Sequence, residues 1–244
     1  MRWVVMSRGR FLLLLTMLAV IVLGYWGLRG YTQGGGLEKE ALLAAALDNT
    51  RASESYRYRI NSRLETEGQP TSYFSEIEGA AVLPDRVSIK GTLINSPIEL
   101  IQIEDTTYMK DQITGRWLTL QGNRLAQSEL FITELNPLGV LSFKDVPEIS
   151  YEGKEGGIGR ANEILAIKPL VVNPFLELQF TDFDYRLWID SKDQRITKAA
   201  ITAQSKSAKG ERLLIDIEFW DYNKEIKIEP PDTEPPAEDE EKEE

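Results

Sequence analysis

Apolar and polar residues alternate along most of this chain, and the period of the alternation sorts it into elements. Over residues 37–53, Leu43, Ala46, Leu47 and Thr50 recur every three to four positions among strong helix formers, which predicts a helix. After Ser53 the period drops to two. Tyr56, Tyr58, Ile60 and Leu64 alternate with Arg57, Arg59, Asn61 and Glu65. Ser75, Ile77, Gly79 and Ala81 then alternate with Glu76, Glu78 and Ala80, and Val87, Ile89, Gly91 and Leu93 with Arg86, Ser88, Lys90 and Thr92. Gly68-Gln69-Pro70 and Pro84-Asp85 supply the turns between them. This is the pattern of long, half-buried antiparallel strands in a meander.

The same reading predicts strands over 98–104, 106–110, 116–120, 147–153 and 162–168. The closing ones are expected over 185–189, 196–205, 213–219 and, as a short last strand, 225–228. A helical pattern covers 123–135, and Asn136-Pro137 predicts a second short helix through Phe143, since Asn caps well and Pro fits the first helical position. Residues 169–182 read either as strand or as a helix beginning near Asn173-Pro174. About ten strands with one apolar face cannot stay flat in one sheet. The helices must cover the apolar side, because each Å² of it left in water costs about 25 cal/mol. The fold class expected is therefore α+β: a curved antiparallel half-barrel with helices over its concave face.

Two segments fall outside this alternation. Phe11 to Leu28 is an apolar run broken only by Thr16, long enough to cross a bilayer as a helix. Arg2, Arg8 and Arg10 precede it and Arg29 follows, which keeps residues 1–10 cytoplasmic and sends the rest outside. The expectation is a single-pass signal-anchor at the cell membrane, with residues 29–36 as a linker and 37–229 as the extracytoplasmic domain. The alternative is a cleaved signal peptide and a secreted domain. At the other end, residues 230–244 combine Pro230, Pro231, Pro235 and Pro236 with a run of acids, a composition that predicts a disordered, solvated tail.

Charge and composition narrow the chemistry. The chain has 244 residues, a net charge of −11, and neither Cys nor His. No thiol nucleophile, disulfide, cluster ligand or lipid-modified Cys is available, and the commonest zinc ligand is missing. The acidic balance argues against nucleic acid as a partner. A nucleophilic Ser lacks a base. The carboxylate pairs Asp182/Asp184 and Asp190/Asp193 flank turns, where Asp serves local hydrogen bonding. No catalytic residue, metal or cofactor is expected, and the chain reads as a non-enzyme. Tyr56, Tyr58, Trp117, Trp188, Phe219 and Trp220 fit either a ligand cavity or ordinary cross-strand packing.

The order of parts resembles the LolA-like superfamily, which includes periplasmic lipoprotein carriers and lipid-carrying mycobacterial lipoproteins. The residues that carry the resemblance are YRYRINSRLE at 56–65, NPLGVLSF at 136–143 after the WLTL strand, and above all YRLWIDSKDQRITKAAI at 185–201 with LLIDIEFWDYNKEIKIEPP at 213–231. The resemblance implies a half-barrel with a helical lid and, between them, an apolar cavity for acyl chains. On that basis Tyr58, Leu64, Ile77, Ile89, Leu93, Leu187, Ile215 and Ile217 are the expected cavity lining, and the expected ligand is a lipid or lipidated protein. The chain departs from the pattern in lacking a lipidated Cys, so residues 11–28 would replace that anchor. A second expectation keeps the fold without lipid: an interaction or envelope-sensing module with a protein partner. A filled core with a purely structural role is the third.

Overall fold

The computed structural model describes residues 38–69, 72–122, 132–157 and 160–232. The expected membrane span at 11–28, its flanks and linker, the helical pattern over 123–131 and the acidic run from residue 233 lie outside these. Among the described residues no helix is long and apolar enough to cross a membrane. The chain divides into two compact units, Met1–Leu43 and Ala44–Glu244. Of the first, only the helical residues 38–43 are described; the sheet and the turns packed on it belong to the second.

A helix over 38–51, α1, opens the described chain. Six strands then follow as a meander: β1 (Ser55–Thr66), β2 (Ser72–Val82), β3 (Arg86–Leu93), β4 (Ser96–Ile103), β5 (Thr106–Lys110) and β6 (Trp117–Gln121). One turn of helix, α2 (Ile132–Leu135), and a 3-10 turn (Pro137–Leu141) lead into β7 (Phe143–Gly157) and β8 (Arg160–Val171). A short helix, α3 (Pro174–Gln179), separates these from β9 (Phe180–Asp190), β10 (Ile196–Ser205) and β11 (Glu211–Trp220). All eleven strands form one antiparallel sheet in the order β6-β5-β4-β3-β2-β1-β11-β10-β9-β8-β7.

That order has a consequence. β6 and β7 follow each other in sequence yet form opposite edges of the sheet. Ten strand spacings of about 4.8 Å separate them if the sheet is flat. The described part of the connection, residues 132–142, runs over the sheet from β2 and β3, on which α2 packs, to β9, whose Tyr185 bonds the Val140 carbonyl. Within the β1–β6 meander, by contrast, short turns suffice. The burial of Leu135, Pro137, Leu138, Val140 and Leu141 places α2 and the 3-10 turn on the apolar face.

Several expectations shift. The helix expected through Phe143 is a 3-10 turn ending at Leu141, and Asn136 makes no side-chain cap bond. β7 then begins at Phe143, well before the expected 147, because β8 pairs with it from Val171 onward. The ambiguous stretch resolves into the end of β8 and α3, whose cap Asn173 accepts a hydrogen bond from Leu176 N at 3.0 Å. Residues 225–228 are not a strand. β11 is already paired on both sides, with β1 and β10, so no open edge was available to them. Instead Asn223 N donates to Ser55 C=O and Ser55 Oγ to Lys224 C=O, folding this stretch back along the start of β1.

Candidate functional site

The concave face is built from registered rows. The middle one runs across seven strands as Gly91, Ile77, Ile60, Ile217, Ala199, Leu187 and Leu165. On one side of it lies Leu100, Ile89, Gly79, Tyr58 and Phe219. On the other lies Leu93, Ser75, Ser62, Ile215, Ile201, Tyr185, Ile167 and Ile149. Leu64 opens a further short row with Leu213 and Ala203. The eight residues expected to line a cavity are therefore brought onto one continuous face.

Their exposure tells what that face borders. Tyr58, Ile77, Leu187 and Ile217 are each 0% exposed, so no water-sized void touches them. Ile89 and Ile215 are buried as well, and Leu64 and Leu93 are half-buried toward one end. Helical material occupies the space above. Leu135, Pro137, Leu138, Val140 and Leu141 are buried, and α2 packs on β2 and β3. Gly79 matters here: a Cβ at that position would meet the Tyr58 ring, which lies across it.

The strip over 132–141 is fastened by polar contacts in an apolar setting. Tyr58 Oη donates to Glu134 C=O at 2.7 Å, Tyr185 Oη to Val140 C=O at 3.0 Å, and Arg51 to Leu141 C=O at 2.6 Å. Phe143 meets the Tyr185 ring edge-on at 5.2 Å. The Glu134 carboxyl is itself buried and pushed up from the ordinary glutamate range by that burial, against the opposing pull of hydrogen bonds from its own backbone and from the Ser75 hydroxyl. Burial raises the Tyr58 and Tyr185 phenols too, so both stay protonated donors. Beside Ser75, Ser62 Oγ is buried without a hydrogen-bond partner. Ser62, Ser75 and Glu134 thus form one polar spot in the middle of an apolar face.

None of Glu134, Ser62, Ser75 or Tyr185 was among the expected site residues. A signal existed for two of them: Ser62 and Ser75 fall on the inward register of β1 and β2, where Ile or Leu is the rule. Glu134 carried none, because its burial depends on the path of the crossing connection.

The convex face is of another kind. One row alternates in sign across seven strands: Lys198, Glu218, Arg59, Glu78, Lys90, Glu99 and Lys110. The close pairs include Arg59–Glu78 at 2.8 Å and Lys110–Glu99 at 3.2 Å. A Trp closes each end, Trp188 under Lys198 and Trp117 under Lys110, with cation-to-ring distances of 5.1 and 5.6 Å. Trp220 carries Arg59 in the same way. The six aromatics considered for a cavity therefore separate. Tyr56, Tyr58 and Phe219 turn inward, whereas Trp117, Trp188 and Trp220 lie on the outer face as partners of cations.

Two clefts are open to solvent. One of about 470 Å³ lies at the β1–β11 end, lined by polar groups including Glu65, Glu67, Gln204 and Arg212. The other, about 480 Å³, lies on the convex side between Trp220, Arg57, Ala80, Ser88 and Ile101. Neither lies under the helical strip. Asp190 is taken up by its turn, accepting from Lys192 N and Asp193 N at 2.9 Å each. Among the described residues no three Asp or Glu side chains cluster to hold a metal.

No family model matches this sequence, and no curated protein matches it. Solved structures do. LprF from Mycobacterium bovis superposes with a TM-score of 0.54 at 12% identity, covering 80% of this chain and 97% of its own. The Mycobacterium tuberculosis lipoprotein LppX gives 0.46 at 13% identity, covering 78% and 99%. A LolA superfamily protein from Nitrosomonas europaea gives 0.35 at 10%, covering 80% and 95%. The chain therefore shares its fold with LprF.

Proposed function

We propose that this chain is a membrane-tethered, LolA-like binding module that takes an acyl chain, from a lipid or a lipidated protein, against the concave face of its sheet. The observation that carries the reading is the middle row of that face. From Ile77 to Leu165 it is apolar across six strands without interruption. Five spacings of about 4.8 Å make it roughly 24 Å long. One leaflet of a bilayer core is about 15 Å thick, so an acyl chain fits along the row with room to spare. Each CH₂ transferred from water to such a surface contributes about 0.8 kcal/mol.

The row is covered in the structure, so an incoming chain has to displace the strip over 132–141. That strip is one α turn and one 3-10 turn, with few internal hydrogen bonds of its own. Its removal exposes Leu135, Leu138, Val140 and Leu141, and an acyl chain that replaces their contacts offsets the loss. The Ser62–Ser75–Glu134 spot then lies where a polar linkage of the ligand can find donors. No step requires catalysis. Residues 11–28 hold the domain to the outer side of the cytoplasmic membrane.

Residues 38–232, purified without detergent and extracted for mass spectrometry, test this directly. A stoichiometric acyl lipid supports the reading, as does saturable uptake of a fluorescent fatty acid. Protein that is empty and stays empty when challenged overturns it. The water-free packing of Tyr58, Ile77, Leu187 and Ile217 favours a second reading, an interaction module that works with its core closed. A stoichiometric protein partner, retained by the same domain in the absence of lipid, would select that one.

A further inference from the structure

Four large apolar side chains stand in solvent within nine residues of one another at a corner of the sheet. Leu170 is 55% exposed, Val172 45%, Phe175 41% and Leu178 76%. Their directions follow from the local structure. Val171 points inward and is buried, so Leu170 and Val172 leave the end of β8 on the other side. Leu176 is the buried residue of α3, and Phe175 and Leu178, three apart, share the side turned away from it.

One ion pair ties α3 to the edge strand beside β8. Lys144 Nζ, at the start of edge strand β7, contacts both oxygens of Glu177 on α3 at 2.7 Å. Lys206 donates to the Glu177 carbonyl. Lys168, two residues before Leu170 on the same side of β8, pairs with Glu148 at 3.1 Å, so the rim of the apolar four is polar and mixed in sign. Single exposed apolar residues need no explanation, but a cluster of them rimmed by polar groups marks a contact surface.

We propose that this corner rests in the headgroup layer of the bilayer that holds residues 11–28. The inference relies on the reading of that run as a membrane span, and adds which face the domain turns to the membrane. The chain outside the described residues argues for this occupant. Residues 29–37 reach at most about 30 Å when fully extended, so the domain cannot leave the neighbourhood of the bilayer. At such an effective concentration even a small apolar patch partitions. Phe and Leu at the acyl boundary beneath a polar rim is the arrangement an interfacial helix uses. The convex ladder offers no rival surface, since the residues along it are charged rather than apolar.

The absence of Cys makes the test clean. In the full chain, Leu178→Cys is labelled with an environment-sensitive fluorophore and reconstituted into phosphatidylcholine–phosphatidylglycerol vesicles. Ile113→Cys, at the tip of the β5–β6 turn near the opposite edge and 96% exposed, serves as the reference. The expected result is a blue-shifted label at 178 that is quenched by brominated acyl chains, while the label at 113 stays unshifted and unquenched. Adding Phe175→Glu should abolish the shift and leave flotation with the vesicles intact. Equal quenching at both positions in protein that floats overturns the docking and spares the anchor. Failure to float overturns both. A shift that needs no vesicles and grows with protein concentration also overturns the docking, in favour of a second copy of the chain.

Discussion

The two faces of this sheet solve one problem in opposite ways. The concave face pairs like with like: Ile60 stands between Ile77 and Ile217, and its contacts are dispersion and exclusion of water. The convex face pairs opposites: Arg59, next to Ile60 in the chain, stands between Glu78 and Glu218. Burial makes the first strong. Exposure makes the second weak, because each carboxylate and cation on it is screened by water. Register is also fixed on the apolar side, where the Tyr58 ring lies across Gly79 and a slip of two residues would set it against Ile77 instead. The ladder adds little to this, because the same slip sets Arg59 against Glu76 and Arg57 against Glu78, and opposite charges still meet.

This contrast can be broken by substitution, and the largest effect belongs to the concave face. Ile217→Ala removes a fully buried side chain from the middle row and should lower unfolding stability by about 2–5 kcal/mol, measured by urea titration. Gly79→Ala comes next. Its new Cβ runs into the Tyr58 ring, and a cost of about 1–3 kcal/mol is expected, reduced when Tyr58→Ala is added. Tyr185→Phe deletes one fastening of the helical strip and leaves the Val140 carbonyl unpaired, for a loss of about 1–3 kcal/mol. Hydrogen exchange of the strip should rise with it.

The Glu134 prediction is one of slope. Burial holds its proton more tightly in the folded form than in the unfolded chain. The folded state is therefore favoured most at or below the ordinary glutamate range and loses that advantage as pH rises through the raised value. Comparing urea midpoints at about pH 5 and about pH 8 should show this loss, and Glu134→Gln should remove it. The smallest effect belongs to the ladder. Arg59→Ala should change stability by no more than about 1 kcal/mol, and added salt should shrink the difference.

Much of this contrast was legible in the chain. Period-two alternation named the inward residues of β1, β2, β3, β9 and β11 correctly, because a half-buried strand leaves no freedom in which side faces water. It also placed the eight expected residues on one face. Alternation does not say which strand lies beside which, and so the charge ladder was invisible. Its members come from β10, β11, β1, β2, β3, β4 and β5, and only the β1–β11 pairing puts Arg59 beside Glu218. Nor does it say what stands above the face. Leu187 reads the same whether it lines a void or is packed over completely. The answer depended on where residues 132–141 lie, which alternation along the strands does not record. The Trp residues stayed open between two readings for the same reason. A large ring on an outward position, stacked beneath Lys198, has the composition of a pocket wall.

The pairing of the first strand with the last also governs how the molecule comes together in time. Each wing of the sheet consists of strands adjacent in sequence, and such pairings form early because little chain must be closed to make them. The central seam is different: Arg63 and Asp216 meet across 153 positions. Until the seam zips, both wings present unpaired backbone along β1 and β11, the two most dangerous edges in the molecule for adhesion to another nascent chain. Circular permutation that joins the ends of β11 and β1 by a short hairpin, and opens the chain between β6 and β7, would turn the slowest contact into the fastest.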